Sequence, residues 1–129
     1  MTAAPLRLFA STNCNQIGCA ICHYPTLTTG SSSIVALNQV SFQPFSDFLL
    51  HDMGSLGDGI EQGNATGRQM RTAPLWGLRV RTTFLHDGRA STLQDAISAH
   101  DGQALSARNL FMQLSSTDLQ NLLAFLSSL

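Results

Sequence analysis

The chain has 129 residues, a formal net charge of −1 at pH 7, and a charged fraction of 12%. This length predicts one domain, and the near-neutral charge argues against nucleic acid or a charged membrane surface as partner. No apolar run in the sequence is long enough to span a bilayer. The charged fraction is low beside the usual ~25%, which favours a domain with one face covered by another domain or subunit.

The amino-terminal residues predict a short helix and no signal peptide. Pro5 is followed by Leu6, Leu8 and Phe9, an apolar pattern that fits one short helix. The first ten residues carry one arginine and no sustained apolar stretch, unlike a secretory signal. Cys14 is an odd thiol, which we expect to be buried or inert.

Residues 19–23 read Cys-Ala-Ile-Cys-His, the spacing that attaches a c-type haem. Cys19 and Cys22 would form thioethers with the vinyl groups, and His23 would then reach the iron as proximal ligand. A zinc site would need two further ligands, which Cys14 and the scattered histidines do not supply. A thioredoxin-like pair would follow a hydrophobic strand, and none precedes Cys19. The motif therefore predicts one covalently bound haem c per chain.

The segment after this motif predicts turns and short extended pieces. Pro25 should end any helix that begins at the motif, because the residue before proline disfavours helical geometry. Val40 and Phe42 alternate with polar residues, which is typical of a short strand. Residues 47–53 could form a single helical turn. Residues 54–67 contain five glycines and predict a mobile or tightly turned connector.

A helix is predicted after residue 91. Ser91 is a candidate cap, since Gln94 follows at capping-box spacing. The residues spaced at i, i+3, i+4 and i+7 share one helix face: Leu93, Ala96, Ile97 and His100. The pair at 101–102, Asp-Gly, supplies a stop signal.

The carboxyl-terminal helix is the clearest predicted element. Ser116 or Thr117 would cap it. Leucines then recur on one stripe: Leu119, Leu122, Leu123 and Leu126. Together these elements predict a mainly α fold, a cytochrome-c-like haem domain with helices around one haem and long loops.

The second axial ligand decides the chemistry of such an iron. Methionine raises the potential, histidine lowers it, and an open position permits binding or oxidation of small molecules. The residues that could serve are Met53, Met70, His51, His86 and His100. His100 lies on the apolar stripe of its predicted helix, although a lone histidine there is more often bonded to a backbone carbonyl. Met53 lies in a glycine-flanked stretch, the setting in which many small cytochromes supply methionine.

The order of these motifs resembles the carboxyl-terminal haem domain of the bacterial di-haem oxidoreductases, often called thiol oxidoreductases. These are relatives of the di-haem cytochrome c peroxidases and of the di-haem enzyme that matures methylamine dehydrogenase. The resemblance covers nearly the whole chain and rests on five segments: residues 18–30, 47–54, 71–78, 85–100 and 124–126. The shared order of these segments is more specific than any one of them.

The resemblance also implies a distal ligand. In the peroxidase relatives, the helix after the His-Asp-Gly turn supplies a methionine, and in the maturation enzyme it supplies a tyrosine. His100 occupies the matching position, so the expected iron is six-coordinate between His23 and His100, with Met53 as the alternative. Arg71 and Trp76 are expected at the haem edge, where an arginine could pair with a propionate.

Two functions are consistent with these expectations. The first is electron transfer through one haem c at low potential. The alternative is the haem domain of a peroxidase or oxidoreductase with a switchable distal site. Because the peroxidase relatives have two haem domains and this chain has one motif, we expect the carboxyl-terminal part of a longer di-haem protein.

The expected partner is a second haem domain or a redox protein, not nucleic acid. Haem c is normally attached outside the cytoplasm. We therefore expect a periplasmic location, with the export signal outside this chain.

Overall fold

A computed structural model describes residues 14–129. The α-helices are α1 (Cys14–Ile17), α2 (Leu93–Ser98), α3 (Leu105–Phe111) and α4 (Ser116–Leu126). The strands are β1 (Leu27–Thr28), β2 (Ser41–Phe42), β3 (Leu50–Asp52) and β4 (Gln69–Arg71). The 3-10 turns are Cys19–Ile21, Val35–Leu37, Gly54–Leu56, Leu78–Val80 and Gly102–Ala104. The predicted helix at residues 5–9 and the side chain of Cys14 lie outside the described part.

The strands pair as two small antiparallel sheets, β1 with β2 and β3 with β4. β2 confirms the extended piece predicted around Val40 and Phe42. The helical turn predicted within residues 47–53 is wrong, because the second half of that range forms β3. His51 there pairs with Met70 of β4. The second sheet thus joins the segment after the haem motif to the segment beyond the glycine-rich connector.

The prediction of a mainly α, cytochrome-c-like fold is wrong, since the helices are short and two small sheets accompany them. The α-helices range from 4 to 11 residues, and none in the described part is long and apolar enough to cross a membrane. Proline and glycine interrupt the chain between its two ends. Non-glycine residues with left-handed backbone add further turns there: Gln39, Phe45, Phe48 and Leu85. The helical periodicity near the carboxyl end therefore does not extend to the middle.

The main core lies where α1, α3 and α4 meet the irregular middle of the chain. Its buried residues are Ile17, Phe45, Phe111, Leu122, Phe125 and Leu126. Phe45 comes from the irregular middle and packs edge-on against Phe125 of α4, with ring centroids 5.5 Å apart. This contact fixes the segment around Phe45 to the helical end of the molecule.

The caps of α2 and α4 lie one or two residues from the predicted positions. Thr92, not Ser91, caps α2, and its side chain accepts a hydrogen bond from the backbone N–H of Asp95. Ser115 caps α4 by the same bond from Asp118. α2 ends at Ser98. His100, which was predicted to lie on this helix, therefore lies just beyond its end.

Candidate functional site

The Cys-Ala-Ile-Cys-His motif folds into one compact turn. Gly18 precedes it with a left-handed φ of 87°, a conformation that glycine adopts readily. The 3-10 turn Cys19–Ile21 follows, and the backbone N–H of His23 donates to the carbonyl of Cys19 at 2.9 Å. Both Cys19 and Cys22 are half-buried. The two sulfurs and the imidazole therefore lie within a single turn, as attachment of one haem requires.

The segment Phe45–Asp47 holds this turn from the other side. His23 donates from Nδ1 to the carbonyl oxygen of Phe45 at 2.9 Å. The backbone N–H of Asp47 donates to the carbonyl of Cys22 at 2.8 Å. Phe45 adopts a left-handed φ of 51°, which is uncommon for a bulky residue. An uncommon backbone conformation thus accompanies the bond that orients the imidazole of His23.

Ser46 secures that segment to the end of β4. Its side chain is fully buried. Its hydroxyl donates to the carbonyl of Thr72 at 2.8 Å and accepts from the backbone N–H of Phe48 at 2.9 Å. Sequence reasoning missed Phe45 and Ser46, because a backbone carbonyl and a lone serine carry no motif.

His100 faces the same site from beyond the end of α2. It donates from Nδ1 to the carbonyl of Ala96 at 2.8 Å. Its ring centroid lies 6.5 Å from that of His23, with 53° between the ring planes. Because both Nδ1 atoms are used by carbonyls, each histidine has Nε2 for a metal. The structure therefore brings His100 close to His23, and their role as ligands of one iron stays a prediction.

The spacing of the two histidines fits one metal ion between them. An imidazole nitrogen binds a transition metal at about 2.0–2.1 Å, and the ring centre lies about 1.1 Å behind it. Two imidazoles on opposite sides of one ion would then have centroids about 6.3 Å apart. The observed separation is 6.5 Å. The two rings are thus separated by about the distance that a shared metal ion would require, and one of them lies next to the cysteine pair.

Both histidines are in a setting that favours the neutral, metal-binding form. Burial lowers the pKa of His23, and the neighbouring His100 lowers it further, against the opposing effect of the Phe45 carbonyl. Burial also lowers the pKa of His100, against the opposing effect of the Ala96 carbonyl. Since metals bind neutral imidazole, neither histidine has to lose a proton at neutral pH to become a ligand.

Met53 is far from His100 in sequence, but the residue that follows it contacts the residues that follow His100. It is half-buried and directly precedes Gly54. Its backbone N–H donates to the carbonyl of Arg68 at 2.9 Å. A Cβ atom built on Gly54 would lie 2.8 Å from Cγ of Asp101, the residue after His100. The two candidate distal ligands therefore come from adjoining segments.

The contacts that the structure describes for Arg71 and Trp76 are with aromatic rings and a backbone carbonyl, not with the two histidines. The guanidinium of Arg71 lies 5.9 Å from the ring centroid of Phe48, within cation–π range. Trp76 donates from Nε1 to the carbonyl of Gln43 at 2.6 Å and has its ring 6.4 Å from that of Phe42. Their place at a haem edge stays a prediction.

A group of polar side chains beside Cys22 was not anticipated from the sequence. His51 bonds through Nε2 to a carboxylate oxygen of Asp47 at 2.8 Å. The ligand atoms of Cys22, Asp47 and His51 lie within 4.8 Å of one another. Such a group could hold a metal only while Cys22 is a thiolate, so thioether formation at Cys22 would remove that capacity. The i, i+4 spacing of the Asp and His was the available signal, although no helix joins them.

One of the comparisons with known proteins identifies a family. Residues 7–129 match the family described as "Di-haem oxidoreductase, putative peroxidase". Searches of the curated proteins and of the solved structures find no match. The family description implies haem binding and a peroxidase-like oxidoreductase role. Because the match covers almost the whole sequence, the chain belongs to the di-haem oxidoreductase family.

Proposed function

We propose that the chain carries one c-type haem between His23 and His100 and transfers electrons through it. The observation that carries this proposal is the pair of imidazoles, 6.5 Å between ring centroids, beside the Cys19–Cys22 spacing that attaches haem. Family membership supports haem binding and redox chemistry. Met53 stays the alternative distal ligand.

Backbone carbonyls of the chain would orient both proposed ligands. The carbonyls of Phe45 and Ala96 accept from the Nδ1 atoms, which fixes the tautomer, fixes the ring orientation and raises the basicity of Nε2. A haem iron held by two imidazoles supplies one-electron chemistry at low potential. The two carbonyls keep each imidazole in place, and this limits reorganisation when the charge changes.

The second candidate function is a peroxidase-like domain with an exchangeable distal ligand. The family description, which includes peroxidases, favours it. In that case His100 would have to leave its position before a small molecule could bind. The two candidates differ in a simple observable, since a ferric haem with two imidazole ligands is low-spin and has no open position for hydrogen peroxide.

The proposal includes a second haem domain or redox protein as partner, and a periplasmic location. The family description names two haems, whereas this sequence contains one Cys-x-x-Cys-His motif. The second haem would then belong to another part of a longer chain or to another protein.

The decisive experiment is the spectrum of the exported protein and of its His100→Ala variant. Expression with periplasmic haem attachment should add the mass of one haem, resistant to acid extraction, and give a low-spin ferric spectrum. His100→Ala should convert that spectrum to high-spin, because the sixth ligand is lost.

Met53→Ala is the matched control and should stay low-spin. A low-spin His100→Ala protein together with a high-spin Met53→Ala protein would assign the distal position to Met53. Exported protein with the mass of the bare polypeptide would contradict haem c altogether.

A further inference from the structure

Two segments far apart in sequence meet next to His100. The Asp52–Ser55 segment ends β3 and begins a 3-10 turn, and the Asp101–Gln103 turn directly follows His100. Gly54 and Gly102 have left-handed φ angles of 58° and 59°. A Cβ atom on Gly102 would lie 2.7 Å from the backbone nitrogen of Gly54. The two backbones therefore pack together with no room for a side chain at Gly102.

Side chains fasten the same contact. Ser55 donates from its backbone N–H and from its hydroxyl to Oδ2 of Asp101, at 3.0 and 2.7 Å. In the same direction, the backbone N–H of Asp52 donates to Oε1 of Gln103 at 2.9 Å. We call these three hydrogen bonds, with the glycine contact, the 52–103 clamp.

The clamp holds the backbone on the carboxyl side of His100, whereas α2 holds it on the amino side. On the α2 side, the imidazole bonds to Ala96 and the backbone N–H of His100 donates to the carbonyl of Ile97 at 3.1 Å. His100 itself lies beyond the last residue of α2, which is Ser98. The turn that follows holds the backbone of His100 on the carboxyl side. The clamp fixes that turn, beginning at the next residue, Asp101.

We propose that Asp101 and Gln103 are positioning residues that control how readily His100 leaves the axial position. This proposal rests on the proposed function, in which His100 is the distal ligand. Asp101 and Gln103 act through the backbone on either side of Gly102. Loss of their bonds frees the turn, so that His100 dissociates more often without any change to its own side chain.

A purely stabilising clamp would behave differently from a positioning clamp. Loss of a purely stabilising clamp would lower thermal stability and leave the rate at which His100 dissociates unchanged. The chain offers a matched control in α4, where the hydroxyl of Ser115 donates to Oδ2 of Asp118 at 2.6 Å. Asp118→Ala removes a Ser–Asp pair of the same chemistry, at the start of a helix that carries neither histidine.

The test uses the holoprotein in its ferrous form with carbon monoxide at saturating concentration. Under these conditions the binding rate is limited by release of the sixth ligand. Gln103→Ala should raise that rate about 2- to 10-fold, the range for one lost hydrogen bond. Asp101→Ala, which removes two hydrogen bonds, should raise it at least as much. Asp118→Ala should leave the rate unchanged, and thermal denaturation of all three proteins shows that each is folded.

The rates distinguish failure of the clamp proposal from failure of the proposed ligand. Faster binding in the two clamp variants alone supports the positioning role. Equal rates in all variants, with rapid binding in His100→Ala, would overturn the clamp proposal and leave His100 as the ligand. Equal rates that include His100→Ala would show that His100 is not the ligand, and both proposals would fail. If Asp101→Ala does not fold, Gln103→Ala decides alone.

Discussion

Phe45 shows how much of the site depends on backbone atoms. The residue is 2% exposed and belongs to the core, while its carbonyl accepts a hydrogen bond from Nδ1 of His23. The left-handed backbone at Phe45 allows one residue to do both. The sequence predicts the histidine and the cysteines, because their side chains carry the chemistry. It offers no signal for an acceptor that any residue could provide.

The buried hydroxyl of Ser46 should contribute to the stability of the folded protein. Ser46→Ala removes both hydrogen bonds of a fully buried hydroxyl, and leaves the carbonyl of Thr72, itself in a residue only 9% exposed, without that donor. We expect the free energy of unfolding of the holoprotein to fall by about 1–3 kcal/mol. Urea denaturation followed by circular dichroism measures this change.

The control is Ser41→Ala, since Ser41 is exposed and bonds only across a surface pair with Thr28. It should change the free energy of unfolding by no more than about 0.5 kcal/mol. Equal effects for the two variants would show that the Phe45–Asp47 segment does not depend on the buried hydroxyl.

The helices show which elements can be read from the sequence. Period-3.6 patterns located α2 and α4 correctly, because each presents a stripe of apolar residues to the core. The predicted caps lie one or two residues from the observed ones. Serine and threonine are adjacent at both sites, and side-chain type alone does not choose between them. Short strands such as β3 were missed because the run is three residues long and pairs with a strand far along the chain.

The cap of α2 gives the prediction at the scale of the element. Thr92→Ala removes the acceptor for the backbone N–H of Asp95, and should lower the free energy of unfolding by about 0.5–2 kcal/mol. Ser91→Ala should have little effect, because the hydroxyl of Ser91 makes only a 3.4 Å contact with the carboxylate of Asp95. The same urea denaturation experiment compares them. A larger loss for Ser91→Ala would restore the cap that the sequence predicts.

At the scale of the whole molecule, the site is assembled from contacts between distant parts of the chain. The haem motif meets the Phe45–Asp47 segment, and the 52–103 clamp joins the middle of the chain to the region after α2. The sequence predicted the side chains of a haem site and placed the distal ligand on a helix, whereas His100 lies beyond the end of α2. The binding of haem by these side chains stays a prediction. It did not indicate the irregular middle, because glycine contacts and carbonyl acceptors have no periodicity. The mainly α expectation failed for that reason.

The carboxylates of the clamp region make the stability of the molecule depend on pH. Hydrogen bonds from the backbone and hydroxyl of Ser55 hold the pKa of Asp101 at about 2, below its ordinary value of 3.8. The hydrogen bond from Arg68 likewise lowers the pKa of Asp52. A carboxylate with a lowered pKa stabilises the folded state above its unfolded pKa. That contribution is lost as the pH falls through the folded value.

Asp101→Asn therefore has a defined signature in acid. The melting temperature of the wild-type holoprotein should exceed that of the variant by a constant amount above about pH 5, because Asp101 is then fully ionised in both folded and unfolded states. Between about pH 4 and pH 2 the difference should shrink, since the unfolded wild-type chain takes up a proton that the folded protein resists. Comparing the two proteins cancels the titration of groups they share. A difference that stays constant from pH 5 to pH 2 would mean that the bonds from Ser55 do not hold the carboxylate in the folded protein.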